Sequence, residues 1–122
     1  MAHQFVVGLF TSKGIAEDAC NRLKFEGVPA PNISLLLLHE VASPVPATVR
    51  DELAGLSIDP LIVGDVRDNY APYIRNGETA VFVNTHSEAE EELAAGILKL
   101  YAPLRIRVVE ASEGAPLGRD IL

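Results

Sequence analysis

The chain has 122 residues, the size of one domain able to bury a core without staples, and its single cysteine, Cys20, forbids an intrachain disulfide. Seventeen acidic against ten basic side chains give a formal charge of -7, which repels phosphate backbones and leaves no basic stripe for nucleic acid. Met1-Ala2-His3-Gln4 lacks a secretory start, and the longest apolar run, Ile33 to Leu38 interrupted only by Ser34, falls well short of the roughly 18 residues of a membrane span, so a soluble cytoplasmic protein with no membrane partner is expected.

Phe5 to Phe10 is apolar on both faces and suits a central, covered strand. Thr11 or Ser12 can cap the helix that follows, with Ile15, Ala19, Cys20 and Leu23 on its inner stripe. Gly27 sits where a left-handed C-terminal cap is wanted, and Pro29 and Pro31 prevent continuation. Ile33 to His39 is the second strand. Residues 41–76 are cut by Pro44, Pro46, Pro60 and Pro72, and read as an irregular insert with short helices. Helical rhythm recurs over Thr48 to Leu56 and Asp65 to Ile74, and Ile58 to Val63 between them is apolar enough to be buried or to form a contact surface.

Asn76-Gly77 marks a turn before the third strand, Thr79 to Thr85. Ser87 and Glu90 then form a capping box, and Glu88 to Glu92 suit the positive start of a helix. The apolar stripe of that helix is Leu93, Ile97, Leu100 and Tyr101, with Ala94, Ala95 and Gly96 for close packing, and Pro103 ends it. Leu104 to Val109 alternates as a half-wet edge strand should, and residues 111–122 carry no period and read as a tail.

Strand, helix, strand, insert, strand, helix, strand is the βαββαβ order of a ferredoxin-like sandwich, an α+β fold. One domain over residues 1–110 is expected, with a four-stranded antiparallel sheet and both helices on one face. The other face then needs a cover from the insert, the tail or a second subunit, which motivates a homodimer.

Two stretches carry a family resemblance. Phe5 to Ser12 with Ile15 to Ala19 and Pro31 to Leu35, and Tyr70 to Thr85 followed by Glu88-Ala89-Glu90, resemble the bacterial general stress protein and heat-induced YflT-like domain. Many of its members carry a glycine- and alanine-rich segment where this chain has the proline-broken Val41 to Gly64. The resemblance implies a stress setting and transfers no catalytic residues.

Few residues suggest chemistry. Thr11-Ser12 and Thr85-His86-Ser87 hold equivalent places, and if parallel neighbouring strands bring both helix starts to one sheet edge, Ser12, Lys13, His86 and Ser87 can hold a phosphate or carboxylate. The plain alternative is helix capping, and the glutamates after Ser87 repel an anion. His3 and His39 are expected at one end of the sheet and His86 at the other. None forms a close metal pair, and His39 with Glu40 falls short of the ligand number that metal sites use. Cys20 on the inner stripe is a buried thiol, not a nucleophile. Tyr70, Tyr73 and Tyr101 are packing residues or the lining of a pocket. No catalytic residue, metal or cofactor is assigned. The expectation is a non-catalytic ligand-sensing or protein-interaction domain with an unknown protein or small-molecule partner. The alternative is a small-molecule enzyme with a pocket on the open sheet face or at the helix-start edge, where His86 is the proton carrier.

Overall fold

The structure, a computed structural model, describes residues 3–38, 49–50, 57–58, 60–75, 77–112 and 115–122. Its elements run β1 (His3–Phe10), α1 (Lys13–Phe25), β2 (Ile33–Leu37), β3 (Val49–Arg50), β4 (Ser57–Ile58), α2 (Pro60–Tyr70), β5 (Thr79–Thr85), α3 (Glu88–Lys99), β6 (Arg105–Ser112) and β7 (Ala115–Asp120). Five strands form one sheet in the order β2-β5-β1-β6-β7, with every neighbouring pair antiparallel. The molecule is therefore α+β, but the expected four strands become five. The residues read as a tail supply the fifth, so β6 is an interior strand and not the edge. Ala115-Pro116-Leu117-Gly118-Arg119-Asp120 contains no β-branched residue and no alternation, and only pairing with β6 makes it a strand.

Successive side chains of a strand point to opposite faces. On one face Val6, Phe10, Ile33, Leu35, Val81, Val83, Ile106 and Val108 pack under α1 and α3. On the other, Val7, Leu9, Leu36, Ala80, Phe82 and Val109 are buried with Ile62, Val63, Val66 and Tyr70 of α2. The protein thus has three layers. The insert itself supplies the second cover, which removes the ground on which a second subunit was expected there. Pro60 begins α2 at the first turn, where a missing N–H costs nothing, so a proline read as a cut in the insert opens a helix. Ile62 and Val63, from the apolar stretch between the two helical rhythms, become core. Val49, placed in a helical rhythm, instead belongs to a two-residue ladder with β4; residues 51–56 lie outside the described set.

The stripe expected for α1 holds except at its first member, whereas α3 is turned by about one position from its expected stripe. In α1 the inner residues are Ala16, Ala19, Cys20 and Leu23, and Ile15 is 37% exposed. In α3 they are Ala94, Ala95, Ile97 and Leu98, while Leu93 is 42% and Leu100 68% exposed. Against Phe10, Ile33, Leu35 and Ile106 of the sheet, alanines at 16, 19, 94 and 95 allow close approach while Leu23, Ile97 and Leu98 fill the space between. Cys20 is buried, as its place on the stripe implied. Gly27 ends α1 at φ +101°, the left-handed cap read from its position.

Candidate functional site

The two helix starts do not meet. Gln4 lies opposite Thr85 and Phe10 opposite Thr79, because β1 and β5 are antiparallel. Ser12 and Lys13 therefore stand at one end of the sheet and His86 and Ser87 at the other. The same register corrects the placing of the histidines: His3 begins β1 at the end where His86 follows β5. His39 and Glu40 lie outside the described residues.

Each hydroxyl is engaged in capping. The Ile15 N–H donates to Ser12 Oγ at 3.3 Å, and the Glu90 N–H donates to Ser87 Oγ at 3.2 Å. Glu90 Oε2 accepts from the His86 N–H at 2.8 Å, one residue before the N-cap, and with Glu88 and Glu91 it supplies the negative charge that this helix start favours. Lys13 and His86 are exposed. Among the described residues no group of three or more metal donors is assembled. Ser87→Ala should lower stability by about 1 kcal/mol, the usual worth of a serine N-cap, in urea titration. A change near zero would mean that the cap is not what holds the start of α3.

The most developed polar cluster is one that sequence reading missed. Arg107 of β6 is 8% exposed beneath α2. Its Nε donates to Asp65 Oδ2 at 2.8 Å, its Nη2 to Asp65 Oδ1 at 3.4 Å and its Nη1 to Asp120 Oδ1 at 3.1 Å. Arg105 Nη2 donates to the other oxygen of Asp120 at 3.1 Å. Hydrogen bonding to Asp65 outweighs desolvation and holds the guanidinium pKa above its ordinary value. Nearby, the Tyr70 hydroxyl donates to the Val7 carbonyl at 3.4 Å; burial first, and then the charge of Asp120, push its phenol pKa up. Gly118 of β7 lies so close that a Cβ there would sit 2.5 Å from Arg107 Nη2. This arrangement is a clasp joining α2, β6 and β7. Its cation is matched by carboxylates and enclosed, which suits holding strands together and gives a substrate no access. Alternation along β6 did put Arg107 opposite Ile106 and Val108, but nothing local signalled that a helix would cover it.

Surface hollows bordered by the described residues include three with distinct linings. A groove of about 330 Å³ between α3 and β7 is lined by Glu88, Glu91, Glu92, Lys99, Arg119 and Ile121. Its central carboxylate, Glu91, already accepts from Arg119 Nη2 at 2.7 Å and Gln4 Nε2 at 3.0 Å. A hollow of about 250 Å³ at the Phe10 end of the sheet lies among Thr11, Tyr73, Arg75 and Leu104. The third is a crevice of about 90 Å³ where the end of α1 meets the start of α3, with Glu26, Val28, Val83, Thr85, Glu90 and Leu93 among its walls. Asn84 also borders it, although strand alternation turns the Asn84 side chain to the α2 face, where its Oδ1 is buried with no hydrogen-bond partner among the described residues. The tyrosines do not share a pocket. Tyr70 is core, Tyr73 stands under Arg105 at 5.7 Å from ring centroid to guanidinium carbon, and Tyr101 packs beneath the helices.

No helix among the described residues is long and apolar enough to cross a membrane. Comparison with known proteins finds no match among family models, curated proteins or solved structures.

Proposed function

We propose that this protein is a non-catalytic protein-interaction module, a ferredoxin-like sandwich extended by a fifth strand and a third layer, that binds through its outer helices. The observation that carries the reading is the set of large apolar side chains left outside on that layer: Ile15, Phe25 at 82% exposure, Leu93 and Leu100. Scattered exposed leucines are ordinary. Here, however, Leu93 lines a crevice at the end of α1, whose wall begins at Glu26 directly after Phe25, and its 90 Å³ is far below the roughly 300 to 1,000 Å³ of small-molecule sites and suits one inserted side chain. At this crevice that size favours an inserted side chain over a small-molecule ligand, and the larger groove between α3 and β7 has its Glu91 already taken by Arg119 and Gln4. The enzyme alternative loses its open sheet face to α2, and His86 lines none of the three hollows. A cytoplasmic, stress-related setting belongs to the proposal through the family resemblance and the lone cysteine. A homodimer has no comparable support once the second sheet face is covered.

The test is native mass spectrometry of the protein isolated at natural abundance from its own host. A co-purifying polypeptide that is lost from a Phe25→Ser/Leu93→Ser variant is expected. A small organic adduct retained by that variant, with no polypeptide, would overturn the proposal in favour of ligand sensing.

A further inference from the structure

We infer that the crevice between the end of α1 and the start of α3 docks a basic, amphipathic polypeptide segment, an inference that rests on the interaction-module reading. Val28, Val83 and Leu93 give the crevice an apolar lining, and its volume matches one large side chain. Phe25, the last residue of α1 and next in sequence to the wall residue Glu26, is exposed, with the Arg22 guanidinium carbon 5.8 Å from its ring centroid.

The rim is acidic. Glu26 and Glu90 are in the walls, and Glu88 and Glu92 are exposed on the same first turns of α3. The carbonyl end of α1 and the amide end of α3 open at the same place, so their dipoles offset and the carboxylates set the sign of the rim. Nearby cations are Arg22, already 3.3 Å from Glu26, and Lys24. Carboxylates around an apolar slot are complementary to a segment with an aliphatic anchor flanked by lysine or arginine, whose stems also cover apolar surface such as Phe25. Charge decides against a second copy as the occupant. Each chain carries -7, and joining two such surfaces sets glutamate against glutamate.

The probes are a short synthetic amphipathic helix of leucine and lysine and its leucine–glutamate counterpart, titrated into the full isotope-labelled chain and followed by amide NMR. The leucine–lysine peptide should shift Gly27, Val28, Asn32, Glu90 and Leu93 saturably, weaken with added salt, and leave the leucine–glutamate peptide without effect. Leu93→Ser, which removes the anchor contact, and Glu26→Gln/Glu92→Gln, which removes charge and spares the slot, should each weaken binding by about tenfold with the remaining spectrum unchanged.

Shifts spread over every acidic surface and indifferent to Leu93→Ser would overturn the inference. Leu93-dependent binding of the acidic peptide would overturn the basic partner and leave the interaction module standing, as would crevice shifts that follow protein concentration alone, the mark of a second copy. Silence from both peptides, with no concentration dependence and no polypeptide lost from the Phe25→Ser/Leu93→Ser variant, would remove the inference and the module together.

Discussion

Arg107→Met should cost about 3 to 5 kcal/mol in urea unfolding, the range for removing one partner from a buried ion pair. The loss is not the value of the pair itself. Asp65, with its side chain 11% exposed, is left as an enclosed carboxylate without its cation, and Asp120 at 37% exposed keeps only Arg105. For that reason Arg107→Met/Asp65→Leu should recover much of the deficit, since a buried pair replaced by apolar side chains is often neutral or better. Arg107→Lys should behave closer to methionine than to arginine. An ammonium cannot make the two-pronged contact with Asp65 while also reaching Asp120. A loss from Arg107→Met no larger than that from Arg22→Met, at an exposed pair, would show that the clasp contributes little.

Gly118→Ala should also destabilise the protein, by about 2 to 3 kcal/mol, at the upper end of overpacking. The sign is the informative part, because a strand-interior glycine ordinarily loses to alanine by roughly 0.5 to 1 kcal/mol. At this position the added methyl would stand 2.5 to 2.7 Å from three atoms of the Arg107 guanidinium. A free arginine would swing aside, but this one is held by Asp65 and Asp120. Combining Gly118→Ala with Arg107→Met should therefore cost less than the sum of the two, with a coupling of about 1 kcal/mol or more. Strict additivity would mean that the two residues do not share a site.

What the sequence made legible was local. The β1 and β5 strands, the serine caps at 12 and 87, and the Gly27 stop are written in neighbouring residues, and each stands where it was read. Non-local features were hidden. Pro60 and Pro72 read as breaks, yet Pro60 lies in the first turn of α2 and Pro72 in the one-turn 3-10 helix after it. The strand β7 has no pattern of its own. Leu93 and Leu100 were placed inward because a hydrophobic stripe normally marks the core, whereas Ala94 and Ala95, read as close-packing residues, face it together with Ile97 and Leu98. The same limit governed the sites. Both helix starts were recognisable as caps, but whether they meet depends on strand direction, and the antiparallel β1–β5 pairing separates them. Arg107 and Asp65 are 42 residues apart, with no spacing rule to join them.

The glycine and arginine of the outer hairpin also bear on which alignments the folding chain rejects. Slipping β7 by one residue along β6 exchanges the faces of all its side chains, and its weak strand propensity does little to prevent this. In the native alignment Arg107 lies opposite Asp120, and Val109 opposite Gly118, which leaves open the space the guanidinium occupies. In a slipped one Arg107 would meet a side chain in place of that opening, and Asp120 would turn toward the outer helices. Two residues thus give a featureless strand a single acceptable partner arrangement, set by exclusion more than by attraction.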